Sequence, residues 1–441
     1  TVGPVGDDLS YDFSEKGGTI NLTSRIKFAG KPMSILITSN THRFISAYFD
    51  CVDAGLIKVS GMSKRVRVYQ VSGARSVPGR TRGFAELGSP MVGRDRELAS
   101  LMLACETVRA GLGRAVVITG EPGLGKTRLI QEWQREVDRR DNGFSSKEEP
   151  GQRTRNWLLG RCVSYKQVVA YQLVIDLVKN IIGVSIGSDE PEVRSALKSY
   201  LDNMFGAISE EIYPFLGSML GIRLEGADLL KTQLADPQAL QTKYVEAMQK
   251  LLSAFISRGP VVLVLEDLHW ADSSSVELFI KLLPLVSTAS ILFCVVTRVE
   301  RESAGWKLVN AARELLGSRL TEISLQNLSD KDSRVLVANL LAIESLTGPV
   351  RELILAKAEG NPLFMEEVIR MLIDRGAIAF EGNAWVAKQE ISAYDIPDNL
   401  QGLLQTRIDR LPAEARQALL VASVIGRRFP VKVLSLVLGG I

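Results

Sequence analysis

Three short stretches put the residues of phosphate chemistry at the ends of apolar runs. The first is AVVITGEPGLGKTRLI, where Gly120, Gly125, Lys126 and Thr127 fit G-x-x-x-x-G-K-[ST] between a hydrophobic strand and a helix. Glycines at Gly120, Gly123 and Gly125 leave the backbone bare, so its N–H groups can converge on phosphate oxygens while the following helix adds its positive end. Lys126 would neutralise the β and γ phosphates of ATP, and the Thr127 hydroxyl would coordinate Mg²⁺. A glycine turn that only caps a helix is the bland alternative; the flanking strand and helix favour nucleotide binding.

The second stretch, VVLVLEDLHWAD, is an apolar run closed by Glu266 and Asp267. One carboxylate would hold the Mg²⁺ shell and the other orient the attacking water, because phosphoryl transfer depends mainly on positioning and charge compensation. The sequence does not assign the two roles. His269, a lone histidine after a strand, reads as a packing residue before a base, and Trp270 as core. The third stretch, ILFCVVTR, ends in Arg298 at a sheet edge where ligands of open α/β folds collect. Arg298 is thus a candidate sensor of the γ-phosphate, its alternative a surface arginine.

These ends need a parallel sheet to hold them. From Met91 the pattern runs helix (Glu97 to Arg109), strand (Ala115 to Thr119), helix (Lys126 to Arg139) and strand (Trp157 to Cys162), with further strands at Val261 to Leu265, Ser290 to Thr297 and Leu320 to Leu325. Val168 to Arg258 has helical periodicity, and the chain after Ser329 reads as almost wholly helical, ending in the run Asn399 to Arg410. Arg139 to Arg155 reads as a surface loop. Before Met91, the glycines, prolines and arginines of Ser72 to Pro90 mark a connector. Residues 1 to 71 form a small α/β unit with strand-like runs at Met33 to Thr38 and Val66 to Val71 around a helical pattern from Thr19 to Ala29.

The 441 residues suggest about three domains at roughly 150 residues each. With 46% hydrophobic and 23% charged residues the composition is globular, and a net charge of +3 gives no support for coating nucleic acid or an anionic membrane. Four cysteines lack CxxC spacing and cannot build a zinc site with His42 and His269, so a reducing cytoplasm is expected. The richest apolar stretch, Leu282 to Thr297, is too short and too interrupted for a membrane helix, and no signal peptide opens the chain. The first residue is Thr1 rather than Met, as in a fragment of a longer polypeptide.

MVGRDREL (Met91 to Leu98), GEPGLGKT, LVLEDLHWAD, the strand ending in Arg298, EGNPLF (Glu359 to Phe364) and IPDNLQGLLQTRIDRLP (Ile396 to Pro412) resemble, in order and spacing, the signal-transduction ATPases with numerous domains. The resemblance makes Arg94 a contact near the adenine and brings Pro362, in a helical lid or winged-helix region, to the bound nucleotide. It implies a slow ATPase whose ATP or ADP state gates oligomerisation or an attached effector. Glu266 stands where Asp is commoner, a departure that bears on hydrolysis more than on binding. Read without the resemblance, EGNPLFMEEVIRML is an N-capped amphipathic helix with Asn361 as cap and Pro362 in the first turn. Ile396 to Ile441 would begin a winged-helix-like region; it lacks a basic recognition face, so nucleic acid is not an expected partner.

YDFSEKGGTINLTSRI, ILITSNTHRFI and KVSGMSKRVRVYQV resemble the C-terminal part of a class III nucleotidyl cyclase domain. That resemblance maps Asn21 to the ribose contact, Arg25 to the transition-state phosphate and Ser14 to purine reading. Met62 replaces a phosphate-binding lysine, and the family's two metal-binding aspartates lie upstream of these residues; Asp7, Asp8 and Asp12 do not replace them. Cyclase activity of this chain alone is therefore not expected, although Asn21 and Arg25 could serve a dimer partner's metals.

The expected protein has a partial ferredoxin-like α+β cyclase-type domain (1–71), a linker (72–90) and a P-loop NTPase domain with a parallel α/β sheet (91–328). A helical lid (329–395) and the start of a winged-helix-like region (396–441) follow. ATP or ADP with Mg²⁺ is the expected ligand, and a homo-oligomer or a cyclase-domain dimer the expected assembly. The leading function is an ATP-binding signalling switch; the alternatives are an adenylate cyclase with a regulatory ATPase module, or a non-hydrolysing scaffold or transcription regulator.

Overall fold

The computed structural model describes residues 3–5, 12–14, 35–38, 41–42, 49–57, 66–74, 90–142, 156–162, 169–184, 188–233, 236–341, 348–381, 384–388, 391, 396–397, 399–409, 411, 413–425 and 431–438. The chain divides into two compact units, Thr1–Gly88 and Ser89–Ile441.

In the first unit, β1 (Gly3–Val5) pairs with β2 (Asp12–Ser14), and β3 (Ile35–Thr38), β4 (Phe49–Ile57) and β5 (Val66–Ala74) form an antiparallel sheet with β5 in the middle. A short apolar run announces β3 and alternating valines the start of β5, whereas β4 hides because Asp50, Asp53 and Gly55 interrupt FDCVDAGLI. Those residues sit at two register shifts of the β4–β5 ladder, where extra residues bulge out. Asp53 Oδ1 accepts the Gly55 N–H at 2.8 Å, holding the bulge at a glycine with φ of +84°. Strand β5 runs to Ala74, so the expected connector begins inside it. Ser14 ends β2; the expected helix with Asn21 and Arg25, and Met62, lie outside the described residues.

In the second unit, β6 (Arg114–Thr119), β7 (Trp157–Arg161), β8 (Val261–Glu266), β9 (Ile291–Thr297) and β10 (Leu320–Ser324) form one parallel sheet in the order β10-β6-β9-β8-β7. Every residue of β9 is buried, the run expected of a strand covered on both faces. Alternate residues of β6 enter opposite cores. Val116 and Ile118 pack with Leu101, Leu129 and Trp133 of α1 (Asp95–Arg109) and α2 (Lys126–Asn142). Ala115 and Val117 belong to the core on the other face, built with α3 (Gln172–Ile181), α4 (Glu190–Phe205), α5 (Ser209–Met219), against which α6 (Gly226–Gln233) packs, α7 (Pro237–Ile256), α8 (Ser273–Leu282), α9 (Leu285–Thr288) and α10 (Ala304–Leu316). Capping sets where such helices begin: Asp236 Oδ1 accepts the Ala239 N–H at 2.7 Å and Pro237 opens α7.

Beyond the sheet come α11 (Asp330–Leu341), α12 (Gly348–Ala358), α13 (Pro362–Asp374), a hairpin of β11 (Ile378–Glu381) and β12 (Ala384–Ala387), then α14 (Leu400–Asp409), α15 (Ala413–Ile425) and α16 (Val431–Leu438). The hairpin departs from the helical expectation. Its signal, Gly382-Asn383 between two short apolar runs, is small beside long helical flanks. Among the described residues no helix is long and apolar enough to cross a membrane.

Candidate functional site

The strand order places β9 between β6 and β8, and the register brings their carboxyl ends level. Thr119 pairs with Thr297, and Leu265 with Val295. The loop 120–125, the acids after β8 and Arg298 after β9 therefore leave the sheet side by side, at the edge where parallel sheets bind ligands.

Lys126 opens α2, half-buried, and its Nζ donates to the Gly120 carbonyl at 2.6 Å and the Glu121 carbonyl at 3.0 Å. Burial, and then the neighbouring charge of Arg298, push its ammonium down from 10.5 to about 8, against opposing pulls from Asp267 and Glu121. Arg298 lies over the Trp270 ring, 5.3 Å from its centroid, with Nη1 3.7 Å from Glu300 Oε1. Trp270, half-buried, packs against the core as expected and also serves as the shelf for this guanidinium.

The two acids are set differently. Glu266 ends β8 at 2% exposure, opposite Arg161 in the ladder, and the Arg161 Nε donates to its Oε2 at 2.5 Å. Asp267 follows in the left-handed region (φ 57°, ψ 38°), turning the chain into a short helical turn, and its charge acts on Lys126 and His269. Three non-glycine residues among those described have such a positive φ: Tyr171, Asp267 and Glu359. His269 is buried, and burial first and Arg298 second push its imidazole down to about 4, so the ring is neutral at physiological pH and packs 4.5 Å from Trp270. An open groove of about 850 Å³ lies next to these residues, lined by His269, Asp272, Glu300 and Arg301 among others; none of its lining belongs to the loop 120–125.

Asp272 closes the second stretch. Its Oδ1 accepts the N–H of Ser275, capping α8, and that of Tyr171, both at 2.8 Å, while Oδ2 accepts the Ser275 hydroxyl at 2.6 Å. One buried carboxylate thus joins the starts of α3 and α8. Asp272→Ala is expected to lower stability by about 1–3 kcal/mol, and Asp272→Asn, which keeps an acceptor, by less; urea unfolding of both variants checks this.

The loop glycines differ in what they admit. At Gly125 (φ +87°) a Cβ would meet nothing nearer than 3.9 Å, so backbone conformation is what requires glycine. At Gly123 (φ +88°) a Cβ would lie 2.5 Å from Oδ1 of Asn361, which occupies that space. Asn361 caps α13 by accepting the Phe364 N–H at 3.2 Å and donates from Nδ2 to the Pro122 carbonyl at 3.0 Å. The Leu363 N–H reaches the Gly123 carbonyl at 3.3 Å, with Pro362 between them in the first helical turn. The same turn is anchored behind: Asn327 Nδ2 donates to the Glu359 carbonyl at 2.7 Å and the Leu328 N–H to the Gly360 carbonyl at 2.8 Å.

Arg94 is 7% exposed, and its guanidinium serves the backbone around the loop, donating to the carbonyls of Leu124 at 3.3 Å and Gln326 at 2.6 Å and to Glu97 at 3.2 Å. Arg161, Asp272 and the loop contact of Asn361 escape a reading of the sequence. Asn361 is legible as a helix cap, but its other partner lies 239 residues away. Arg161 is only a strand-end residue until the ladder sets it beside Glu266.

Residues 90–296 match the AAA ATPase domain family, and residues 329–384 a domain family of unknown function. An uncharacterized protein of Rhizobium meliloti (strain 1021) is 22% identical over 418 residues, 93% of this chain and 37% of that protein, so the chain spans little more than a third of this relative. A signal-transduction ATPase with a tetratricopeptide repeat sensor from Pyrococcus horikoshii is 14% identical, with 79% of this chain and 37% of that one covered and a TM-score of 0.38. The adenylyl cyclase CyaB of P. aeruginosa is 38% identical over 17% of this chain and 38% of its own, with a TM-score of 0.15. The parallel sheet, with its glycine loop between β6 and α2, has the α/β fold of P-loop NTPases, and residues 90–296 are similar to the AAA ATPase domain family.

Proposed function

We infer that this chain is a nucleotide-dependent signalling switch: residues 91–328 bind ATP or ADP with Mg²⁺ and hydrolyse ATP slowly, and the nucleotide state biases the lid, residues 329–395, between two arrangements. The start of a winged-helix-like region over 396–441 and a partial cyclase-type domain over 1–71, which would link the switch to an effector, belong to the same proposal. The observation that carries it is the register of β6, β9 and β8, which sets the glycine loop leading to Lys126, the strand end leading to Arg298 and the turn of Asp267 along one edge of the sheet. Two cations drawn together repel, and a polyphosphate repays that cost.

In this reading Lys126 leaves the Gly120 and Glu121 carbonyls for phosphate, and Arg298 senses the terminal phosphate. Glu266 and Asp267 share the Mg²⁺ shell and the orientation of the attacking water, with Thr127 adding its hydroxyl to the metal. Bound Mg²⁺ would neutralise charge on the transferring phosphate. Among the described residues no group of three or more His, Cys, Asp or Glu could hold a metal. Mg²⁺ is kept by one or two carboxylates and by phosphate oxygens, the role proposed for Glu266 or Asp267 with Thr127.

A pH dependence follows from Lys126. Its folded value, about 8, lies below its ordinary 10.5, so between these values the folded state binds fewer protons than the unfolded one. The cost of burying the charged ammonium is therefore present in full below about pH 8 and is lifted as pH rises toward 10.5. Phosphate favours the charged form. Affinity for ADP is thus expected to fall as pH rises above about 8, approaching about tenfold per unit, as titrations at successive pH values would show.

Product analysis tests the function. The chain incubated with Mg²⁺ and ATP is expected to release ADP and phosphate. Cyclic AMP with pyrophosphate would instead make the first unit an active cyclase, and bound ATP without turnover would leave a non-hydrolysing scaffold.

A further inference from the structure

The lid turn grips the loop by two carbonyls. Asn361 Nδ2 takes that of Pro122 at 3.0 Å, and the Leu363 N–H takes that of Gly123 at 3.3 Å. Pro362 has no N–H to offer, so these two donors are what the first turn of α13 presents there. In a planar trans peptide the C=O and the following N–H point in opposite directions. Holding the Pro122 carbonyl therefore fixes the Gly123 N–H, and holding the Gly123 carbonyl fixes the Leu124 N–H. The first half of the loop is held otherwise, by Lys126 on the Gly120 and Glu121 carbonyls. That grip is released when the lysine turns to a phosphate; the lid's grip is not.

We propose that Asn361 is a positioning residue for the phosphate loop, capping the lid helix with Oδ1 while Nδ2 holds the Pro122 carbonyl, so that the Gly123 and Leu124 amides are set for phosphate only while the lid is docked. This rests on the reading of 120–127 as a phosphate loop. Gly123 is the complementary half of the device, because any Cβ there would strike the Asn361 amide. By linkage, a nucleotide that prefers the ordered loop favours the docked lid by the same factor.

The test uses the full chain, with Mg²⁺ and ADP as the probe, and two variants that keep a helix cap. In Asn361→Ser the hydroxyl still caps but is too short to reach Pro122; in Asn361→Asp an acceptor replaces the donor. ADP affinity is expected to weaken about three- to tenfold in the serine variant and further in the aspartate variant, with the nucleotide-free melting midpoint nearly unchanged. A merely structural cap, which both variants keep, would leave the midpoint and the affinity alike unchanged. Affinity within twofold of the parent in both variants would overturn the proposal. Hydrogen exchange on the unaltered chain needs no variant: added ADP is expected to slow exchange at the Leu363 amide, and an unchanged rate counts against the latch. Lys126→Ala run alongside separates the failures, since undiminished ADP binding there would remove the phosphate-loop reading itself.

Discussion

Lys126→Ala is expected to weaken ADP and ATP binding by about 100-fold or more. Charge-assisted hydrogen bonds are worth about 1.5–3 kcal/mol each, and an ammonium that meets two phosphates makes at least two of them. The variant is expected to fold, because it removes a half-buried cation already pushed down to about 8 by its surroundings. Fluorescent-ADP titration together with thermal unfolding separates loss of the site from loss of the fold. Unchanged affinity in a folded variant would mean that the glycine loop is not a nucleotide site.

The largest effect on stability is expected at Arg161, whose guanidinium is 14% exposed and whose partner Glu266 is 2% exposed. Removing one member of a buried ion pair typically costs about 3–5 kcal/mol, much more than a surface pair contributes, because the remaining carboxylate is kept from water. Arg161→Ala should therefore shift the urea midpoint strongly. Adding Glu266→Gln should restore a large part of the loss, since a neutral amide does not need the arginine. A single variant within about 1 kcal/mol of the parent would show that Glu266 is held by other groups, and that Arg161 does not position it.

What could be read from the sequence was whatever local chemistry decides. Strand β6, the glycine loop and helix α2 are contiguous, and their pattern of apolar run, glycines and Lys-Thr is complete within sixteen residues of chain. The acids after β8 and the arginine after β9 are equally local, and the parallel sheet follows from strands alternating with helices. Strand β4 gives little signal because Asp50, Asp53 and a bulge before Gly55 break its apolar pattern, and the β11–β12 hairpin because Gly-Asn between two short apolar runs is a small signal beside long helices. The rest is long-range. Arg161 meets Glu266 across 105 residues and Asn361 meets Pro122 across 239, pairings made by strand order and lid docking. Gly123 shows the difference best: its spacing suggests room for a phosphate, and the fold fills the place of its missing side chain with Asn361.

The central claim is that 120–127 holds nucleotide phosphates, and a crystal structure of the chain grown with ADP and Mg²⁺ tests it most directly. The expected result is a diphosphate within hydrogen-bonding distance of the amides from Gly123 to Thr127, with Lys126 Nζ moved from the Gly120 carbonyl to a phosphate oxygen. A nucleotide bound elsewhere, or none at saturating ADP with Lys126 still on that carbonyl, would contradict it.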